Sequence, residues 1–572
     1  MYLKRTKQKN GRIHLDITDS YYDKQQKKTR QITIENLGFL DELEKLYDDP
    51  IAHFTKKVER LKIEKKARQA PINFTFYDSD RLLTSDTGLR KNFGYAALSQ
   101  IYHELDIHKF LINRQRHSKE EYDANSIMKL LVYSRLLYPS SIKAAFENRE
   151  RFFEKSNYSL DDVYRCLDLF YKHRQSLQVW LNDKVKQNYG RDTSLIYYDV
   201  TNYYFESDVQ DDFKRKGVSK EHRPNPIVQM GLFMDNNGLP VTYELFPGNT
   251  NDCLTYRPNF GRIKKMFDLG RVITVADKGM TTGDNIWYTK NTPTKDGYVF
   301  SLSIRGADKK LKDYVLKEDG YTWLGTEYKR KSRKYPRTIH VTTATGGKMD
   351  KVVDEKQVVF WSEKYAKRAK ADRAAALAKA VDLTKNPGSY TRATSYGAAK
   401  YVRKVDFDKE TGEILASSSV LEIDEDVIQQ EELLDGYYVL LTSEMEESDD
   451  KIIDIYRGLW RIEESFKVTK SELEARPVFV WTREHIEAHF LICFVALTIA
   501  RILELKTERK YSVGKLLGSL SSAQCTLLQQ NYYLFDYYDE ILKDIGIAAG
   551  IDFSKRVRTL GDIKKILADT KK

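Results

Sequence analysis

Residues 195–206 read LIYYDVTNYYFE, and residues 272–280 read VITVADKGM. Each holds an apolar run of β-branched and aromatic residues with one aspartate at its end, Asp199 at the end of the strand Leu195–Val200 and Asp277 just past Val272–Ala276. Such runs predict strands, and Val272–Ala276, unbroken, predicts a buried central one. A carboxylate in or just past a buried strand must be paired, neutralised or bound to a cation. Strand ends of open α/β sheets are also where ligand sites gather. One aspartate taken alone more often caps a helix or a turn, and that plainer explanation must here hold twice.

Working outward, Val228–Met234 and Val241–Phe246 are two further strands joined by DNNGLP, whose Asn-Gly pair is a hairpin signal. A helix is expected over about 255–268 and a fifth strand over Tyr298–Ile304. Three antiparallel strands, a crossover helix and a further buried strand give the order of a ribonuclease-H-like α/β core. Residues 191–304 are read as its first part and 305–435 as an insertion domain. The second part is 436–507, with a strand at Tyr437–Thr442 and a long helical stretch over 450–505. The insertion holds the basic run KRKSRKYPR (329–337) and a Lys/Ala-rich helix beginning at Glu363. Ahead of the core, 1–70 reads as a two-stranded unit (Ile13, Leu15, Ile17; Ile32, Ile34) plus a charged helix over roughly 41–68, a candidate DNA contact. Residues 71–190 read as a mainly helical DNA-end-binding or dimerisation region, with Ser159 and Asp162 as an N-cap signal. Residues 508–572 are expected to form a C-terminal helical region.

At 572 residues, with 41% hydrophobic residues and only 12 prolines, most of the chain should fold, into several domains. Lys plus Arg number 95 against 83 acidic residues, a net charge of +12 that suits a polyanionic partner. The four cysteines are far apart without a CxxC pair, so a disulfide scaffold is not expected. The N-terminus lacks a signal-peptide core, and the longest apolar run, His489–Leu505, is broken by Arg501 and Glu504. A cytoplasmic, nucleoid-associated protein with no membrane partner is the expectation.

The third carboxylate lies in YRGLWRIEESFKVTKSELEARP (456–477). At ~100° per residue, positions seven apart fall within ~20° of one helical face, so Tyr456, Glu463 and Lys470 form a line of phenol, carboxylate and ammonium. An amphipathic surface helix could carry such a line by accident, and Glu464 competes with Glu463 on charge alone. The stretch resembles insertion-sequence DDE transposases with the Y-x2-R-x3-E-x6-K signature, of the bacterial cut-and-paste type. Tyr456, Glu463 and Lys470 fill three of its four positions, and Leu459 stands in the arginine's place. YYDVTNYYFE, GLPVTYELFPGNTND, VITVADKGM and LWRIEESFKVTKSELEARPVFVW extend the resemblance over roughly 193–310 and 435–505.

The resemblance implies an enzyme that binds the ends of its element, cleaves them by metal-dependent hydrolysis and joins the 3′-hydroxyl to target DNA. Asp199, Asp277 and Glu463 would be catalytic and would bind two Mg²⁺ ions, with Mn²⁺ as a substitute. Hard cations prefer carboxylate oxygen, and none of the three positions offers a soft ligand. Tyr456 and Lys470 would hold DNA phosphates, with Lys467 nearby and Arg457 or Arg461 taking over from the missing arginine. Trp323 and Trp361, inside the insertion, are candidates to stack on a flipped base, although each is also suited to packing. The partner is double-stranded DNA, terminal repeat and target, held by a homodimer. Two alternatives share the core: a metal nuclease without strand transfer, and a non-catalytic DNA-binding derivative. His485, His489 and Cys493 fall four apart on one helix face but supply only three ligands, so a buried, hydrogen-bonded face is expected there rather than zinc.

Overall fold

Strands β1 (Tyr2–Lys7), β2 (Ile13–Asp23) and β3 (Lys28–Phe39) form an antiparallel sheet, and helix α1 (Pro50–Gln69) follows. Leu15, Leu43 and Phe54 are its core. The sequence suggested two strands, not three. The first strand was missed because its outward residues are charged, and the turn at Gly11 (φ 83°) is what pairs it with β2. The computed structural model describes residues 1–9, 11–23, 28–69, 90–116, 119–218, 224–385, 397–407, 418–528 and 531–572. Its contacts divide the chain into Met1–Thr87 and Gly88–Lys572.

The second unit opens with helices, of which α2 (Leu160–Tyr189) is the longest in that stretch. Ser159 and Asp162 form a reciprocal capping box at its start: Asp162 N donates to Ser159 Oγ, and Ser159 N to Asp162 Oδ2 at 2.8 Å. Then come β4 (Leu195–Tyr204), β5 (Ile227–Asp235), β6 (Pro240–Pro247), α3 (Asp252–Met266), β7 (Ile273–Ala276) and β8 (Gly297–Leu302). β4, β5 and β6 are antiparallel neighbours, while β7 lies parallel to both β4 and β8. The β5–β6 turn is the Asn-Gly turn, with Gly238 at φ 72° and Asp235, fully buried, ion-paired to Arg191 at 3.1 Å.

Residues 305–435 do not stand apart from this sheet. β9 (Thr322–Trp323), β10 (Tyr328–Thr342) and β11 (Lys348–Ser362) extend it, joined to β8 through β12 (Tyr437–Thr442). The order across all nine strands is β9-β10-β11-β12-β8-β7-β4-β5-β6. Among the described residues the segment also holds helix α4 (Glu363–Lys385), two short helices, Lys309–Leu316 and Glu425–Glu432, and the antiparallel pair Val402–Phe407 with Ser418–Ile423. The basic run 329–337 lies within strand β10, and several of its charges are paired with carboxylates, some of them at the surface. Lys329 pairs with Glu318, Arg330 with Asp450, Lys334 with Glu446, and Arg337 forks onto Glu355.

The C-terminal stretch is also less helical than expected. Gln524–Leu527, Tyr532–Phe535 and Val557–Thr559 join Lys91–Asn92 in a four-stranded sheet between three helices. Strands of three or four residues are too short to show a period.

The sheet has two apolar faces. Tyr198, Ala276 and Phe300 face one core with Tyr256 and Phe260 of α3. Tyr197, Val275 and Val299 face the other, against α5 (Asp449–Arg457), α6 (Trp460–Lys467) and α7 (Arg483–Lys506). That second core runs without a break across the expected boundaries at 190, 435 and 507, taking in residues from Phe93 to Leu567. By composition α7 is long and apolar enough to cross a membrane, but its apolar window is wholly buried in the fold.

Candidate active site

β4 and β7 fix the two aspartates. Their register pairs Tyr197 with Val275 and Tyr198 with Ala276, so the next residues are Asp199 and Asp277. Alternation puts both carboxylates on the face of Tyr197 and Val275, the face covered by α5, α6 and α7. Asp199 is not at a strand end, as the sequence suggested. β4 continues to Tyr204, and Asp199 marks where its parallel pairing with β7 stops while its pairing with β5 goes on.

Asp277 occupies the N-cap position of a single 3-10 turn, Lys278–Met280, yet its side chain makes no capping bond. Instead its Oδ1 accepts from Ser301 Oγ (2.8 Å) on β8 and from Tyr456 OH (3.3 Å) on α5. The helix-cap explanation for this aspartate therefore fails. Burial, then the Asp277 charge, push the Tyr456 phenol far above its ordinary range, so it stays a hydrogen-bond donor. Asp199 is half-buried and its Oδ1 takes Val200 N at 2.7 Å.

The expected straight helix carrying Tyr456, Glu463 and Lys470 is in fact jointed. α5 ends at Arg457, α6 begins at Trp460, and Lys470 lies in a π-helical turn, Val468–Glu472. Between α5 and α6, Gly458 packs closely on β4, where a Cβ would meet the Tyr197 hydroxyl at 2.1 Å. Glu463 is exposed and makes no hydrogen bond or ion pair among the described residues. It lines one cleft of about 550 Å³ together with Asp277, Tyr456, Lys278, Arg305 and Arg368. Asp199 is not among the residues lining that cleft. Glu464, its rival, points elsewhere and pairs with the buried Arg501 at 3.2 Å. Among the described residues, no three His, Cys, Asp or Glu side chains are gathered closely enough to hold one metal ion.

The remaining candidates are spread more widely. Lys470 Nζ sits 5.7 Å from the centre of the Tyr203 ring, Lys467 is exposed, and Arg457 is exposed beside Asp454 and Tyr328. Arg461 donates to Asn236 O at 2.8 Å, and Leu459 is buried in the core. Trp361 is committed, its indole N–H donating to Asp435 O at 3.0 Å, while Trp323 is 48% exposed at the sheet edge. Sequence reading missed Ser301, although a lone polar residue in GYVFSL was a usable signal. It also missed Arg368, which nothing in the Lys/Ala-rich run sets apart.

The histidine face of α7 has a structural role. His489 is buried and donates to Ala475 O at 3.1 Å, and Cys493 Sγ lies 3.7 Å from the same ring nitrogen. Burial, then the Arg135 charge, hold His489 down at about 3. Its unfolded value is ~6.5, so its contribution to stability is complete above that value and is lost as pH falls toward 3. The urea midpoint should drop between pH 7.5 and pH 5, and less so in His489→Gln. An equal drop in the variant would rule out His489 as a source.

A family model described as the transposase DDE domain matches residues 191–499, more than half of the chain, and spans all three carboxylates. A second, the N-terminal domain of IS1634 family transposases, matches residues 3–71. No curated protein matches the chain in sequence. Among solved structures, a piggyBac transposase synaptic complex with hairpin DNA aligns at 9% identity over 84% of this chain and 88% of that one, with a TM-score of 0.34. A Mos1 transposase paired-end complex with the left transposon end aligns at 14% identity over 41% and 65%, with a TM-score of 0.13. Those scores are too low to bear on the fold, and the family matches decide the matter. The chain belongs to the DDE transposases of insertion sequences and is a DNA transposase.

Proposed function

We propose that Asp199, Asp277 and Glu463 are the acidic triad of this transposase, carried on a ribonuclease-H-like core formed by β4 to β8 with 305–435 as its insertion. The observation that supports this most is the register of β4 and β7, which sets the two aspartates side by side on the face where Glu463 arrives. The strand order β6-β5-β4-β7-β8, three antiparallel and then two parallel, supports the choice of core.

The donor set suits hard divalent cations, since all three residues offer only carboxylate oxygen. Asp277 uses Oδ1 for both of its hydrogen bonds, and Oδ2 accepts none among the described residues. Ser301 and Tyr456 thus orient a carboxylate whose other oxygen is left for a ligand, as second-shell donors do. Bound there, two Mg²⁺ ions would activate an attacking oxygen and stabilise the leaving one. Glu463, unpaired, is free to turn toward the aspartates and complete the set. Lys278, Arg305 and Arg368 line the cleft with positive charge suited to a DNA backbone. Tyr456 donates its hydroxyl proton to Asp277 Oδ1 and so serves to orient that carboxylate, leaving water and then a 3′-hydroxyl as the proposed attacking groups. A homodimer would hold the two ends together.

Two adjacent substitutions test the assignment. Glu463→Gln should remove Mg²⁺-dependent cleavage of a duplex carrying the element's end, with an unchanged unfolding midpoint. Glu464→Gln should keep cleavage and lose about 1 kcal/mol of stability through its bond to Arg501. The reverse pattern would transfer the role to Glu464. A strand-transfer assay with a pre-cut end separates a transposase triad from that of a simple nuclease.

A further inference from the structure

A second pocket, of about 230 Å³, lies between the β5–β6 turn, α6 and the stretch after α7, away from the triad. Three guanidinium groups line it: Arg461, Arg501 and Arg509. Arg461 and Arg509 each give one N–H to a backbone carbonyl of the turn, Asn236 O and Asn237 O. Neither has a carboxylate partner among the described residues. Arg501 is 4% exposed; its Nη1 bonds Glu464 and Glu504, its Nε bonds Ser465 Oγ, and its Nη2 is buried with no hydrogen-bond partner among the described residues. A buried donor without an acceptor is a costly exception in a folded chain.

The charge balance favours an anion. Glu464 and Glu504 also line the pocket and are both held on Nη1 of Arg501, so three guanidinium groups against two carboxylates leave a net charge of +1 there. Arginine is the side chain best suited to phosphate, through its planar fork of donors. Ser512, which makes no capping bond of its own, adds a hydroxyl to the lining. The nearby helix start does not add to the case, because the Glu472 carboxylate already lies against Gly514.

We infer that this pocket binds a backbone phosphate of the DNA that the transposase holds, anchoring the strand on the far side of α6 from Glu463. The inference rests on the transposase reading, and α6 supplies the link: Arg461 and Glu463 are two residues apart on it. A phosphate fixed at Arg461 and Arg509 would therefore set the register of the strand relative to the triad.

The test uses the full chain with Arg461→Gln and Arg509→Gln, and a labelled random-sequence duplex as probe. The slope of log affinity against log salt should fall by about one unit in each variant. Inorganic phosphate should raise the thermal midpoint of the wild type but not of Arg509→Gln. Unchanged slopes in both variants would overturn the inference. A phosphate response with unchanged DNA slopes would also overturn it, marking instead a site for a free anion. Glu463→Gln should bind the duplex with the wild-type slope, so a failed triad and a failed pocket are distinguishable.

Discussion

Asp277→Ala is expected to reduce metal-dependent strand cleavage by on the order of a thousandfold or more while leaving DNA binding intact. The carboxylate sits just past the end of β7, its Oδ1 held by Ser301 and Tyr456. On the proposed assignment its removal would take away an oxygen ligand that no neighbour replaces, since Ser301 and Tyr456 are both donors at this position. Stability should change little, because relief of a like charge beside Asp199 on the adjacent strand offsets the lost hydrogen bonds from Ser301 and Tyr456. A side chain serving the fold would behave in the opposite way, and its loss would lower the melting temperature. Cleavage of a labelled end duplex, anisotropy binding and a thermal melt on the same preparation give the three readouts. Cleavage above a tenth of the wild-type rate would sink the assignment.

Arg501→Ala should cost about 3–5 kcal/mol, the loss expected when one partner of a buried ion pair is removed. Arg501 is 4% exposed and bridges Glu504 at 2.8 Å and Glu464 at 3.2 Å. Alanine would strand the largely buried Glu504 carboxylate in the last turn of α7 and release Glu464 on α6. The loss is a large fraction of the ~5–15 kcal/mol that holds a typical domain together. Cleavage should fall as well, through the loosening of α6 beside Glu463. Adding Glu464→Gln and Glu504→Gln to Arg501→Met should recover much of the stability, because a satisfied apolar replacement often equals a buried pair. Urea unfolding of the single and triple variants checks this, and a single variant within ~0.5 kcal/mol of the wild type would contradict it.

Much of the sheet was legible because buried strands leave few choices. Tyr437–Thr442 and the strands carrying Asp199 and Asp277 are apolar runs that water would not tolerate. The long β10–β11 hairpin was not legible, because its basic residues find their carboxylates on other elements, such as Glu318, Glu446 and Asp450. The two aspartates could be singled out in sequence, since a carboxylate in an apolar strand demands an explanation. Placing both on one face needed the pairing register. The need for glycine at 458 was hidden for a similar reason: it comes from the Tyr197 hydroxyl on β4, remote in the chain. Charge alone did not separate Glu463 from Glu464; the spacing to Tyr456 and Lys470 favoured Glu463, and the pairing of Glu464 with Arg501 agrees with that choice.

The strand order has a consequence for how the protein is made. β12, the last strand of the large sheet to be synthesised, lies inside it, between β8 and β11. Until residues 437–442 emerge, those two strands each keep an open edge, and the apolar cover supplied by α7 is still to come. Assembly must therefore wait for distant parts of the chain, a high-contact-order arrangement that slows folding and prolongs exposure of sticky edges. A copy of the gene truncated before codon 437 would leave the sheet in two pieces. Decayed copies of the element would then yield chains that cannot close their sheet, rather than nucleases freed from control.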